Sequence, residues 1–293
     1  TNQLFNENEV VVKKESDTLL KIYLHNGDTN DIWHEYRLIR DINSTDNKDT
    51  WRLNTAFRAK RTGENSFIHL EKTVRSGVWE NALRIIGMGY DDFVGGSHGS
   101  EILVYFNFLV NDKFIDLSSI STLITTSFKI TQLSNFTTED GSSNVGKSLK
   151  IWEFGNKEIN YQNKVTAIQT ITFGDRSFMA MAPVLRKSED DTVQITDSGM
   201  REDEWKKYDL SIASTNYAIN DASIGRDSKR IFLSGHKVNL DMQILESYPD
   251  NPNKGFWVTN SELYNKVYFQ LGNITLNPSD TMGVKARWTF RNS

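Results

Sequence analysis

Cysteine is absent from the 293 residues, which removes disulfides, thiolate metal sites and a cysteine nucleophile together. The compartment stays open, because a large core can do without cross-links. Proline is scarce, at four residues, and that suits long paired strands, since proline takes a donor out of a ladder. Histidine numbers five, so each position counts. No apolar run approaches the roughly 18 residues of a membrane-spanning helix. Excess positive charge is missing too: Lys and Arg total 34 against 38 Asp and Glu, a formal net charge of -4. That is the wrong sign for a protein held to nucleic acid by bulk charge. The motifs HExxH and GxSxG and a P-loop are not found. GMGYDDFVGG is no dinucleotide fingerprint, because it opens into a strand instead of a helix. The chain starts at Thr1 without an initiator Met or a signal peptide, so a processed or shortened chain is expected.

What the chain has is alternation of apolar and polar residues, the period of half-buried strands. It runs through Leu19–Leu24, Trp51–Lys60, Ser148–Phe154, Lys164–Phe173 and Asn265–Leu271, and again in VKARWTF near the end. Turn formers punctuate the runs, as in HNGD, DNKD, KRTGEN, EDGSS and FGDRS. Helical spacing is confined to short candidates at Ile120–Thr126 and near Glu202–Lys207. The pattern predicts an all-β chain, a β-sandwich of jelly-roll type with few short helices. One large domain over residues 1–293 is expected, the alternative being a division at the polar stretch 187–204.

The segment YDDFVGGSHGSEILVYFNF, Tyr90 to Phe108, sets His98 among Gly95, Gly96 and Gly99, three residues before Glu101. Glycines permit positive φ or close approach of backbone to a ligand; they do not require a histidine. Strand alternation predicts Glu101 on a polar face with Tyr105 and Asn107, and Ile102, Val104, Phe106 and Phe108 on the core face. Just upstream, EKTVRSGVWENALRI brings Arg75, Trp79 and Arg84. The arginines are candidates for binding carboxylates, and Trp79 and Tyr90 for stacking on sugar faces. A tight hairpin with an idle, solvated His98 is the plain alternative. His34 and His69 lie within strands and are expected to be structural, while His236 could approach the same cleft.

In SELYNKVYFQLGN, Ser261 to Asn273, alternation puts Tyr264, Lys266, Tyr268 and Gln270 on one face. This Tyr-x-Lys-x-Tyr-x-Gln order resembles the late strand of the jelly-roll alginate-lyase-like polysaccharide lyases. There a Tyr-Phe-Lys-Ala-Gly-x-Tyr strand lines the cleft and supplies the catalytic tyrosine. The resemblance covers this one strand and departs from the family elsewhere. The Gln-Ile-His strand is not present, no glycine precedes Tyr268, and the Arg-rich motif is echoed only by EYRLIR at Glu35–Arg40. The Asn-rich, cysteine-free texture is also similar to phage tail proteins that bind or cut surface glycans.

The resemblance implies a secreted or virion-associated protein acting on an acidic polysaccharide or cell-surface glycan by β-elimination. His98 would be base or carboxylate neutraliser, Tyr268 (or Tyr264) the acid, with Arg75, Arg84, Lys266 and Gln270 as binders and Trp79 and Tyr90 as platforms. A glycoside hydrolase would instead need two carboxylates roughly 5–10 Å apart, for which Glu101 with Asp91 or Asp92, or Glu153, are the candidates. A non-catalytic glycan-binding or receptor-binding module would use the same aromatics and arginines. No cofactor is implied, although the oxygens of Asp41–Thr50 could hold calcium.

Overall fold

The computed structural model describes residues 4–76, 79–119, 121–190, 192–201, 206–211 and 228–292. Alternating sequence becomes strand nearly everywhere in it. The chain opens with β1 (Val10–Ser16), β2 (Leu19–His25), β3 (Ile32–Asn43), β4 (Lys48–Gly63) and β5 (Ser66–Val74), each antiparallel to the one before. The short β6 (Ile85–Ile86) and a 3-10 turn at Gly96–His98 precede β7 (Glu101–Val110), β8 (Lys113–Ile115) and β9 (Thr122–Thr125). β10 (Ser127–Thr137), β11 (Asn144–Gly155) and β12 (Glu158–Ala167) form a meander, followed by β13 (Ile171–Phe173) and β14 (Phe178–Leu185). Then come β15 (Ser198–Arg201), β16 (Lys206–Asp209), β17 (Arg230–Ser234) and β18 (Asn239–Tyr248). β19 (Gly255–Asn260), β20 (Tyr264–Gln270), β21 (Ile274–Leu276) and β22 (Thr281–Arg291) complete the chain.

Hydrogen bonding arranges these strands in two antiparallel runs. One reads β9-β1-β2-β3-β4-β5-β14-β20-β19, the other β8-β7-β10-β11-β12-β22-β18-β17-β15-β16, and a parallel contact of Lys48 and Asp49 with Glu101 and Ile102 joins them. β6, β13 and β21 make a small separate sheet. Leu38, Leu53, Val74 and Val184 of the first run share one core with Trp152, Tyr161, Met282 and Trp288 of the second. Two sheets packed through alternate side chains are a β-sandwich, and the all-β expectation holds. Strands on either side of the 187–204 stretch pair with one another, as β12 does with β22 and β14 with β20.

Two departures from simple alternation bear on the site. Residues 122–125 are strand where a helical turn was expected, and so are 206–207; Ile120 and 202–205 lie outside the described residues. In β7, Tyr105 pairs with Leu133 and Leu103 with Ser134, leaving Val104 as an extra residue. Such a bulge turns the later side chains over. Glu101 therefore points inward and is fully buried, Phe108 is in the core, and Ile102, Val104 and Tyr105 face solvent. The expected polar face of this strand does not exist as a face.

Candidate ligand site at the glycine turn and β20

The glycine turn is shaped by the β3–β4 loop beside it. Ser100 and Glu101 donate their backbone N–H groups to the carbonyls of Asp46 and Asn47 at 2.9 and 3.0 Å, and Lys48 Nζ donates to the Ser97 carbonyl at 3.1 Å. Gly95, Gly96 and Gly99 all have positive φ, and a Cβ on Gly99 would stand 2.3 Å from the Asp46 carbonyl oxygen. Glycine is required there by contact as well as by backbone angle.

Glu101 anchors this turn from below. Its carboxylate accepts Gly96 N–H at 2.9 Å and Lys150 Nζ at 2.8 and 3.0 Å, together with the Ser134 hydroxyl. Burial would raise its pKa, but Lys150 and these donors hold the carboxyl below its ordinary value. A buried carboxylate with every lone pair engaged does not face a ligand, so Glu101 leaves the catalytic set and the paired-carboxylate hydrolase loses its main member. Trp79 leaves as well: it is 1% exposed and packs on Trp288 and Phe290. Its ring is core, not a sugar platform.

Tyr90 donates its phenol to the Thr137 carbonyl, and burial pushes its pKa up to about 12. It ties the loop down. With Arg84, Asp91, Asp92 and Phe93 it lines a cavity of about 210 Å³ beside the turn. Gln270 spends its amide on two partners, accepting from Trp257 Nε1 at 2.8 Å and donating to the Asn253 carbonyl at 2.6 Å. It positions Trp257 and is buried, at 5% exposure, with its amide turned to the protein. His236 pairs with Asp197 at 3.1 Å. His34 is buried against the Thr73 hydroxyl at 2.6 Å and His69 meets Glu35 at 2.8 Å, structural placements for both. Two of the three carboxylates of Asp41–Thr50 are taken by cations, Asp41 by Arg52 and Lys48 and Asp49 by Arg40, while Asp46 accepts from the Asn43 amide at 3.1 Å. That loop is a clasp for the turn, and among the described residues no three His, Asp or Glu side chains gather into a metal-holding group.

The remaining candidates converge. β20 lies between β14 and β19, with Val267 and Phe269 in the sandwich core and Tyr268 in a separate cluster on the opposite face. That cluster runs through Phe178 and Trp257 to Phe93. Ring centroids step 4.4 Å from Tyr268 to Phe178, 5.7 Å to Phe93 and 5.4 Å to His98. The glycine turn and the late strand therefore share one side of the molecule.

Arg75 arrives by a different route. It follows β5 directly and donates its N–H to the Pro183 carbonyl at 3.1 Å, and Pro183 in turn sits opposite Lys266. Pro183 has no N–H of its own, and β5 and β14 pair at Val184 and Val74 alone. The Arg75 guanidinium lies 5.1 Å from the Tyr264 ring centre and Lys266 Nζ 4.7 Å from that of Tyr268.

The electrostatics of this group are one-sided. Lys266 is 6% exposed, and burial, helped by the Arg75 charge, brings its pKa down to about 7. Among the described residues neither Lys266 nor Arg75 has a carboxylate partner. Burial also lowers the His98 pKa; Asp92, 3.7 Å away, opposes this, and Lys266, Lys48 and Arg52 add to it. Burial pushes the Tyr268 phenol up to about 12, so it keeps its proton.

The sequence pattern missed Trp257, Phe178, Phe93 and Arg176. Trp257 was within reach: GFWVTN and YNKVYFQ form a hairpin in which Asn260 faces Asn265, and counting back sets Trp257 opposite Tyr268. Arg176 and Phe93 come from loops, where no periodicity reports position.

Neither a known protein family nor a curated protein matches the sequence. Among solved structures, the chain is similar to a galactose mutarotase-like protein from Clostridium acetobutylicum. The TM-score is 0.46 at 8% identity, over 98% of this chain and 100% of that one. A likeness of that degree carries no argument, and function is argued from the site.

Proposed function

We propose that the face of β20 beside the glycine turn forms a cleft that takes an acidic polysaccharide and cleaves it by β-elimination. One observation carries this: a buried lysine beside an arginine, with no carboxylate among the described residues to neutralise either, in a setting of aromatic rings. Two neighbouring cations without a counter-charge are costly to bury: Lys266 answers by a pKa brought down to about 7, which leaves it a neutral amine above that pH, and Arg75 is left to take the ligand carboxylate. Tyr264, half-buried beside Arg75, offers the aromatic surface for a sugar, and Tyr268 is packed between Phe178 and Lys266 with its phenol as the reactive group. An extracellular or virion-borne setting goes with such a ligand and belongs to the proposal.

The chemistry follows from the protonation states. Arg75 binds the uronate carboxylate and stabilises the enolate that forms as the C5 proton leaves. Lys266, with a pKa near the working pH, is an efficient proton acceptor. Tyr268, still protonated, donates to the glycosidic oxygen as the C4–O bond breaks and the C4–C5 double bond forms. The proton on Lys266 then returns to the Tyr268 phenolate. His98, held neutral by burial, is the alternative acceptor. A His98→Ala variant that keeps more than about a tenth of turnover while Lys266→Met loses all of it assigns the base to Lys266; the reverse assigns it to His98.

Calorimetric titration with uronic-acid polysaccharides and their carboxyl-reduced, neutral forms tests the recognition step. The acidic polymers should bind the wild type, lose at least tenfold in affinity with Arg75→Ala, and bind poorly once reduced. Equal binding of both forms would remove the carboxylate from the proposal.

A further inference from the structure

Beyond Arg75 and Lys266 lies another cation that has no carboxylate partner among the described residues. Arg176 sits in the loop between β13 and β14, exposed, with its guanidinium 5.4 Å from the centre of the Trp257 ring. No carboxylate or hydrogen-bond acceptor engages it among the described residues. Trp257 is fixed beneath it: Nε1 is held by Gln270, its edge meets Phe178, and its ring lies 6.2 Å from Tyr268. Trp257 is itself buried, at 9% exposure, so it serves as a seat that holds the exposed guanidinium at the end of the row, where that cation can meet a ligand carboxylate.

Register sets the scale. Tyr264 and Tyr268 are four residues apart on one face of β20, roughly 13 Å at the rise of a strand, and Trp257 stands across from Tyr268. Arg75 marks the Tyr264 end of this row and Arg176 the Trp257 end. A row of that length with cations at both ends and Lys266 between exceeds what one sugar ring can occupy.

We propose that Arg176, seated on Trp257, forms a second acidic-sugar subsite, so that the ligand is an oligomer lying along β20 with carboxylates at both ends of the row. This rests on the acidic-sugar assignment of the cleft. Arg176 is a binding residue that sets ligand length; it takes no part in proton transfer.

The test is titration of the full chain with size-defined oligogalacturonates, oligomannuronates and oligoguluronates of two to six sugars. It is run at pH 5, where protonated Lys266 cannot accept a proton. Wild-type affinity should climb at least tenfold between two and five sugars for the preferred series. Arg176→Glu and Arg176→Gln should flatten that climb and leave dimer affinity within twofold, and Arg75→Ala should lower affinity at every length. If both Arg176 variants keep the climb while Arg75→Ala loses binding, the second subsite is wrong and the cleft stands. If no series binds the wild type at any length, the cleft assignment falls and takes the subsite with it. Exposed Arg176 is a safe position for substitution, and a matching thermal melt confirms that each variant is folded.

Discussion

Lys266 is the residue on which stability and function pull apart. Its folded pKa of about 7 lies well below that of a free lysine. Between those two values the unfolded chain binds the extra proton, so stability rises with pH across that window and the full cost is present below it. Lys266→Met should therefore stabilise the protein at pH 6, on the order of 1–3 kcal/mol, with the gain fading toward pH 10. The same variant should lose turnover while acidic-ligand affinity, carried by Arg75, falls by less than tenfold; urea melts, rate assays and titration measure these effects. Glu80 offers a second case in the core. Burial raises its carboxyl to about 8 against the pull of Lys150, the Leu53 N–H and Arg52, and Oε2 has no hydrogen-bond partner among the described residues. A raised carboxyl contributes stability fully present below the free value and lost as pH rises through 8. Glu80→Gln keeps an acceptor for Leu53 and removes the titration. Its urea midpoint should pull ahead of the wild type steadily from pH 5 to pH 8 and level off beyond; a constant offset would place the proton elsewhere.

At the level of elements, the glycine turn is a rigid part held by its neighbours. Gly99→Ala would drive a methyl into the Asp46 carbonyl at a positive φ, a cost of about 2 kcal/mol or more. Thermal denaturation should register it, with weaker ligand binding as His98 is displaced. Strand existence was legible from sequence because alternation reports it directly, and β20 kept its predicted faces. β7 did not, because one extra residue, Val104, is invisible to a periodicity count yet reverses every side chain after it. That is why Glu101 read as a cleft residue and proved to be the buried staple of the turn. Trp79 was misread for a related reason: its neighbours Arg75 and Arg84 are polar, and nothing local tells that its own ring enters the core. The pairing of Arg75 with Lys266 depends on β5, β14 and β20 meeting through Pro183, a tertiary contact that no spacing announces.

Over the whole molecule, a sandwich of two extended sheets brings segments separated by most of the chain to one side, and it does so without helices long and apolar enough to cross a membrane among the described residues. The net charge of -4 is of the same sign as an acidic polymer, so attraction must come from the cleft and not from the molecule's overall field. Affinity should accordingly fall with added salt, but modestly, because contacts shorter than the Debye length of about 8 Å at 0.15 M are only partly screened. A steep salt dependence would point to a different, more extended basic surface. The most direct measurement follows the ultraviolet absorbance of the unsaturated product as the chain is mixed with a panel of uronic-acid polysaccharides. A rise with wild type, absent with Arg75→Ala and Lys266→Met and beginning near pH 7, is the result that cleavage in this cleft requires. A rise that survives both substitutions would place the chemistry elsewhere, and a flat wild-type trace on a polymer that titration shows to be bound would leave a recognition site without elimination.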